Sequence, residues 1–306
     1  MALNSSGPIS LGGTTAGQSI NLELSQSATT QVSLNDTNVR SLAGVASGTI
    51  SIPADFWGKS TNIAVTYLIV GGGGGGGTST AGGGGGGGGV YAGSASVPVV
   101  SYAIVVGAGG APLVDGSSSS FNSVTAAGGQ AGFPASAYQG SIGGSSGAPQ
   151  SYAGGAAVGG SYNERGGGGG GAGGIGGDYT STSGGAGGPG YTSSITGTSL
   201  TFAGGGGGGA VWSYTIGLGT DGGGNGGHNG GSYQIATNGS TWGAGAGGGS
   251  TAGIVDAASG ADGAVVISYD SSTQRFTGGT VSSYSGGTSG TVWVHTFTSS
   301  GSFAPN

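Results

Sequence analysis

The side chains able to do acid–base, nucleophilic or metal chemistry are few and scattered. His228 and His295 are the only histidines in 306 residues, and Cys is absent. His228 sits inside a glycine run and reads as a solvated loop residue. His295 lies in an alternating segment with Trp293 and Phe297 and reads as a packed structural residue. Gly143-Gly144-Ser145-Ser146-Gly147 fits G-x-S-x-G but lacks the strand–turn–helix setting that exposes a nucleophile. Gly58-Lys59-Ser60 has the last residues of a phosphate-binding loop, with Pro53 where its first Gly belongs. Gly173-Gly174-Ile175-Gly176-Gly177-Asp178 matches the start of a calcium-binding nonapeptide, a device that works in tandem copies. Asp115, Glu164, Asp178, Asp221, Asp256 and Asp262 stand apart from one another, mostly beside Gly, as turn residues do. The expectation is a protein that is not an enzyme, with no cofactor and no metal.

Recognition chemistry is better supplied. Segments between the glycine runs are rich in Tyr, Trp, Ser, Asn and Gly, the composition of antibody paratopes. Rigid amphipathic rings give contact area at little entropic cost, and small polar neighbours give adaptable hydrogen bonds. The candidate receptor-binding residues are Tyr138, Tyr162, Tyr179, Tyr191, Trp212, Tyr214, Tyr233 and Trp242. Each could instead cover the flank of the glycine-rich body and keep water off it. With consecutive segments running in opposite directions, about half the loops would share one end.

Composition bounds the partners. Four Lys and Arg against ten acids, a formal charge of -6, cannot neutralise a nucleic-acid backbone. No apolar run is long enough to span a bilayer, and no secretory signal precedes the first element. The 84 Gly fall in no collagen register, and Pro numbers only 8. Hydrophobic residues make up 34% and charged residues 5%, the reverse of a chain kept disordered by charge. Such a chain must fold or aggregate.

Seven Gly precede residue 71 and six follow residue 265, so the rest crowd the middle. Three domains follow: an N-terminal docking module over 1–60, a glycine-rich body over 61–270 and a C-terminal β tail over 271–306. In the first, Ser19–Leu24 alternates like a strand, with a short helix as the alternative. Asn35-Asp36 caps a helix ending near Gly44, and Pro53 opens a further turn. Ile63–Val70, Val97–Val106 and Ala264–Tyr269 have the composition and length of strands. They are expected to pair in one small sheet closing the body, with Thr291–Thr298 a further strand.

About ten glycine blocks recur between these strands, each followed by a polar, Tyr-bearing segment. Helix is disfavoured because every interior Gly costs about 1 kcal/mol relative to Ala. Strands gain nothing to pack. Polyproline II, at about 3.1 Å per residue and three residues per turn, leaves every N–H and C=O pointing outwards. Packed side by side, polyglycine II helices could satisfy one another. The expected fold is therefore mostly non-helical: a sandwich of polyglycine II helices closed by a few β-strands, with a small N-terminal α/β module.

A body of such blocks alternating with aromatic-bearing loops resembles the distal tail-fibre adhesin of T-even-like bacteriophages. Tyr67-Leu68-Ile69-Val70-Gly71 onward, closing with Asp262-Gly263-Ala264-Val265-Val266-Ile267-Ser268-Tyr269, resembles the wider glycine-rich domain of phage tail proteins. His295-Thr296-Phe297-Thr298-Ser299-Ser300-Gly301-Ser302-Phe303 does so too, although in that family such a segment commonly precedes the body. Residues 2–60, with ISLGG, NVRSLAGV and ISIPADFWGKS, are similar to a small module of tail and baseplate proteins of T4-like phages of aquatic bacteria. The resemblance implies a virion protein at the tip of a tail fibre, reading a bacterial surface protein or glycan through loops between polyglycine II helices. It implies attachment to a fibre or baseplate protein through residues 1–60, as one copy on a trimeric fibre or as a homotrimer. The alternative it leaves open is a structural tail component whose glycine-rich body is a rigid spacer.

Overall fold

The computed structural model describes the chain apart from residues 1, 58, 60, 79, 134–146, 151, 160–162, 231–232 and 251–256. It divides into two compact units: Met1–Val65 with Ala95–Val100, and Thr66–Ser94 with Ser101–Asn306.

In the first unit the Ser19 hydroxyl accepts from Leu22 N–H and opens α1 (Ile20–Glu23). The alternation in Ser19–Leu24 thus resolves to a helical turn. Asn21 and Glu23, the polar half of that pattern, are buried. Asn21 Nδ2 donates to Thr30 O at 2.7 Å, and Glu23 Oε1 accepts from Thr61 N at 2.7 Å. α2 (Thr37–Ala43) follows Asp36 and closes at Gly44, whose φ of 74° is the left-handed conformation a C-terminal Gly supplies. A 3-10 turn covers Ala54–Phe56. Ile20, Val39, Leu42 and Phe56 form the core with Leu3, Ile9 and Ile50. The strand part of the α/β expectation is not realised among the described residues of 1–60, where pairing is limited to a Ser10–Ser19 bridge. Buried polar side chains bonded to loops hold this unit in place of a ladder.

The strands are β1 (Ile63–Val70), β2 (Val90–Val97), β3 (Tyr102–Val105), β4 (Ser119–Phe121), β5 (Val124–Ala126), β6 (Tyr191–Ser193) and β7 (Leu200–Phe202). They continue as β8 (Ala210–Val211), β9 (His228–Asn229), β10 (Ala264–Asp270), β11 (Phe276–Thr277), β12 (Thr280–Ser285), β13 (Thr291–Phe297) and β14 (Gly301–Pro305). One sheet has the order β12-β13-β10-β1-β2, and a second has β11-β14-β3-β4-β5. β1 and β10, from opposite ends of the glycine-rich segment, are therefore neighbours, as their composition predicts. Val97–Val106 departs from expectation: only Tyr102–Val105 of it is a strand of the second unit, and that strand pairs with β4 and β14 in the other sheet. Pro98 lacks an N–H and breaks the run, so its two halves serve different ladders.

The strand period sorts side chains onto two faces. Leu68, Val70, Val266 and Val294 pack with Val90, Phe202 and Ala203. On the other face Tyr67, Tyr269 and His295 meet the second sheet's Tyr102, Phe121, Phe276 and Phe303 in one aromatic layer. Phe276 stacks on Phe303 at 4.0 Å, and Phe121 meets Phe303 edge-on at 6.1 Å. His295 is fully buried; its Nδ1 lies 2.8 Å from Gly278 O and its Nε2 3.3 Å from Tyr269 Oη.

Between the strands the described glycine segments belong to neither helix nor sheet. Their hydrogen bonds still repeat. Gly71, Gly74 and Gly77 donate to Gly89, Gly86 and Gly83 at 2.8–2.9 Å. Gly72 and Gly75 donate to Ser117 and Val114, while Gly73 and Gly76 donate to Ala261 and Ala258. Each successive residue thus addresses a different neighbouring segment, and every third returns to the same one. The central run obeys the same rule: Gly84 and Gly87 reach Gly167 and Gly170, Gly85 and Gly88 reach Ala246 and Gly243, Gly86 and Gly89 reach Gln130 and Ala127. Packing is too close for side chains. A Cβ on Gly169 would lie 2.0 Å from Gly85 O, and one on Gly206 1.8 Å from Ala246 O.

Two outcomes follow. Gly206→Ala should destabilise the chain by at least ~1–3 kcal/mol, the cost of overpacking. Gly301→Ala, whose Cβ would have 3.8 Å to the Phe297 ring, should shift stability by no more than about 0.5 kcal/mol; chemical denaturation separates the two. Burial holds the His295 imidazole below its ordinary pKa. The unfolded chain therefore binds this proton more readily, and stability should fall as pH drops below about 6.5. Melting curves between neutral and mildly acid pH should show that slope, and His295→Gln should flatten it.

Candidate functional site

Register fixes which residues share an end of the second unit. Gly82 N donates to Gly249 O at 2.7 Å, Gly209 N to Gly82 O at 2.9 Å, and Gly166 N to Gly209 O at 2.9 Å. Gly249 N donates to Gly77 O at 2.8 Å, so Gly77, Gly82, Gly166, Gly209 and Gly249 stand at one level. The opposite level contains Gly71, Gly88, Ala172, Ala203, Gly243 and Gly263, tied by Gly88 to Gly243, Ala172 to Ala203 and Gly263 to Gly107. That level runs directly into β1 and β10. The first is built of loops.

Arg165 organises the loop end. It precedes Gly166, exchanges two 3.1 Å backbone bonds with Val158, and bridges to Ala210. Its guanidinium lies over the Tyr214 ring at 4.2 Å and near the Tyr179 ring at 5.3 Å. Nη1 donates to Ser181 O at 2.7 Å and Nη2 to Asn163 Oδ1 at 3.0 Å. With only 5% of its surface exposed, Arg165 is a buried cation compensated by ring faces and oxygens. The two tyrosine loops are also joined through the Thr215 N–H to Thr182 O bond at 2.9 Å.

Around this hub large side chains face solvent. Trp212, at φ +57°, is 55% exposed and held by its N–H to Asn229 O at 2.8 Å. Tyr233 is 57% exposed. Leu113 and Phe133 are exposed at the same level, Leu113 through a bond to Gly76 O and Phe133 through its carbonyl beside Gly77. Neither is a Tyr or Trp set among Ser and Asn, so paratope-like composition does not mark them. Arg165 itself had a legible signal: it is the only Lys or Arg between Lys59 and Arg275.

The candidates therefore separate. Tyr179, Trp212, Tyr214 and Tyr233 gather at the loop end. Tyr191 and Trp242 lie at the sheet end, packed on the Leu68 and Val266 cluster, with Trp242 stacked on Phe202 at 5.5 Å. Tyr138 and Tyr162 lie outside the described residues, as do the G-x-S-x-G segment's Gly143–Ser146 and Asp256. His228 is in β9, its backbone paired with Gln234. The aspartates do more than turn the chain. Asp115, Asp178, Asp221 and Asp262 each accept a backbone N–H from another segment, those of Ala131, Ala156, Gly190 and Gly109, at 2.7–2.8 Å. Among the described residues no three His, Asp or Glu side chains converge to hold a metal, and no helix is long and apolar enough to cross a membrane.

Residues 45–270 match the family described as the glycine-rich domain. No curated protein and no solved structure matches the chain.

The hub and the exposed rings should respond differently to substitution. Arg165→Lys keeps the charge but loses the planar fork and its stacking, and should cost ~1–3 kcal/mol in chemical denaturation. Trp212→Ala and Tyr233→Ala, at exposed positions, should each stay within about 0.5 kcal/mol.

Proposed function

The chain belongs to the glycine-rich domain family, and we propose that it is a receptor-binding protein of a bacteriophage virion, placed at a tail-fibre tip. The observation that carries this reading is the Arg165 hub. It fixes two tyrosine loops rigidly and leaves Trp212 and Tyr233 exposed on the same end. Preorganised aromatic anchors among small polar residues suit recognition of a bacterial surface protein or glycan. The glycine segments are read as polyglycine II helices in a sandwich. The three-residue rotation of their hydrogen bonds supports this, since that conformation has three residues per turn. Their role is to hold the loops at fixed spacing, as scaffolds do for binding loops elsewhere.

Residues 1–60 are proposed to dock to a fibre or baseplate protein. Exposed Leu22, Ile52 and Trp57 offer apolar contact on that unit. A net charge of -6 over 306 residues gives little long-range steering, so adsorption should depend weakly on salt. Tyr191 and Trp242 have a different part. Their packing favours covering the body, and they are withdrawn from the proposed receptor surface.

The test is adsorption of the purified protein to candidate host cells, with Trp212→Ala/Tyr233→Ala as the folded control. Binding that falls at least ~10-fold in the double variant, a loss of about 1.4 kcal/mol, with denaturation unchanged, is the expected result. Binding that survives the double variant would remove the loop end as the receptor site. A folded protein that binds no cell would favour the structural reading, a rigid spacer in the tail.

A further inference from the structure

Three Asn-Gly pairs occur within fifteen residues: Asn225-Gly226, Asn229-Gly230 and Asn238-Gly239. Chemically they are equivalent. In each, the glycine nitrogen can attack the asparagine Cγ because no side chain shields its approach. The fold treats them differently.

Asn225 is held on every side. Its N–H donates to Thr237 Oγ1 at 2.7 Å, its Oδ1 accepts from Gly219 N at 2.9 Å, and its carbonyl accepts from Thr237 N at 3.0 Å. The attacking nitrogen, Gly226 N, is occupied by Gly217 O at 3.0 Å. Asn238 is exposed but clamped to one partner, Ser259. Its Oδ1 accepts from Ser259 N at 2.9 Å, and Gly239 N donates to Ser259 O at 3.0 Å. Amide and nucleophile are thus each held by a hydrogen-bond partner in both. Asn229 is exposed, and among the described residues neither its side-chain amide nor Gly230 N–H has a partner. The restraints on this pair are those of the main chain: Asn229 stands opposite Val211 in the β8–β9 ladder, Trp212 N–H donates to Asn229 O at 2.8 Å, and Gly230 packs against Trp212 O.

We infer that Asn229 is a site of spontaneous self-modification, where the native fold permits deamidation that it suppresses at Asn225 and Asn238. Gly230 N gives up its proton to solvent and forms a bond to Asn229 Cγ. The Cγ–Nδ2 bond breaks, and Nδ2 leaves with protons from solvent as ammonia, closing a five-membered succinimide. Water then opens either ring carbonyl, leaving aspartate or an isoaspartate through which the backbone runs by the side chain. No oxidant or enzyme is needed. The result is a new carboxylate on β9, paired with β8 and adjoining exposed Trp212, so the loop end gains negative charge with age. An isoaspartate also adds a backbone atom to β9 and should loosen its pairing.

The experiment is incubation of the full folded chain in warm neutral buffer, with peptide mapping by mass spectrometry over time. A parallel sample in denaturant supplies the intrinsic rates. In the folded chain Asn229 should convert at least ~10-fold faster than Asn225 or Asn238, equivalent to about 1.4 kcal/mol in barrier. In denaturant the three should convert at comparable rates, and Asn229→Gln should remove the early product. Thr237→Val, which deletes one restraint on Asn225, should raise the rate there. Equal rates in the folded chain would overturn the inference. So would the same ranking with and without denaturant, because the fold would then have no part in it.

Discussion

The structure depends on backbone N–H···O=C bonds between segments that approach too closely for any Cβ. A peptide group buried without a partner is costly, and ordering glycine costs more backbone entropy than ordering any other residue. Neither cost can be met by a segment alone. The second unit meets both by giving successive residues of one run different neighbours, so that Gly71–Gly77 is tied to three surrounding segments. Each net bond contributes about 1 kcal/mol, which makes the interior runs the ones able to hold. Apolar packing then completes the body where glycine stops, at Val70 and Ala264.

From that constraint the polarity of the second unit follows. One end of the runs continues into strands, whose side chains form an aliphatic cluster on one face and an aromatic layer on the other. The other end cannot continue, because Ser, Tyr and Asn replace glycine and their side chains must find room. There the chain turns, and Arg165 takes the place of a core. A single buried guanidinium bonds Ser181 and Asn163 and lies against two tyrosine rings. Rigidity at this end therefore comes from one cation in a chain almost empty of them. That concentration of structure around one residue gives the proposed binding surface its preorganisation.

Much of the architecture was legible from glycine distribution and strand composition. The pairing of β1 with β10 follows from two β-branched runs flanking the glycine-rich segment, and β13 from the alternation in Thr291–Thr298. Less could be read where tertiary partners decide. Ser19–Leu24 alternates in polarity, yet Asn21 and Glu23 are buried along with Ile20, because Thr30 and Thr61 wait for them. Val97–Val106 is continuous in composition but is split by Pro98. At the site, aromatic composition finds Tyr179, Trp212, Tyr214 and Tyr233 but cannot separate them from Tyr191 and Trp242, because composition carries no register. Only the hydrogen-bond levels assign each residue to an end.

Amide hydrogen exchange resolved to single glycines tests the central claim most directly. Segments bonded in rotation to several neighbours should protect every consecutive amide from Gly84 to Gly89, with protection approaching that of β10. Alternating protection along the run would contradict the account by making it an ordinary edge strand. Exchange as fast as in free glycine chains would contradict it outright, since the loops around Arg165 would then have no scaffold to hold them.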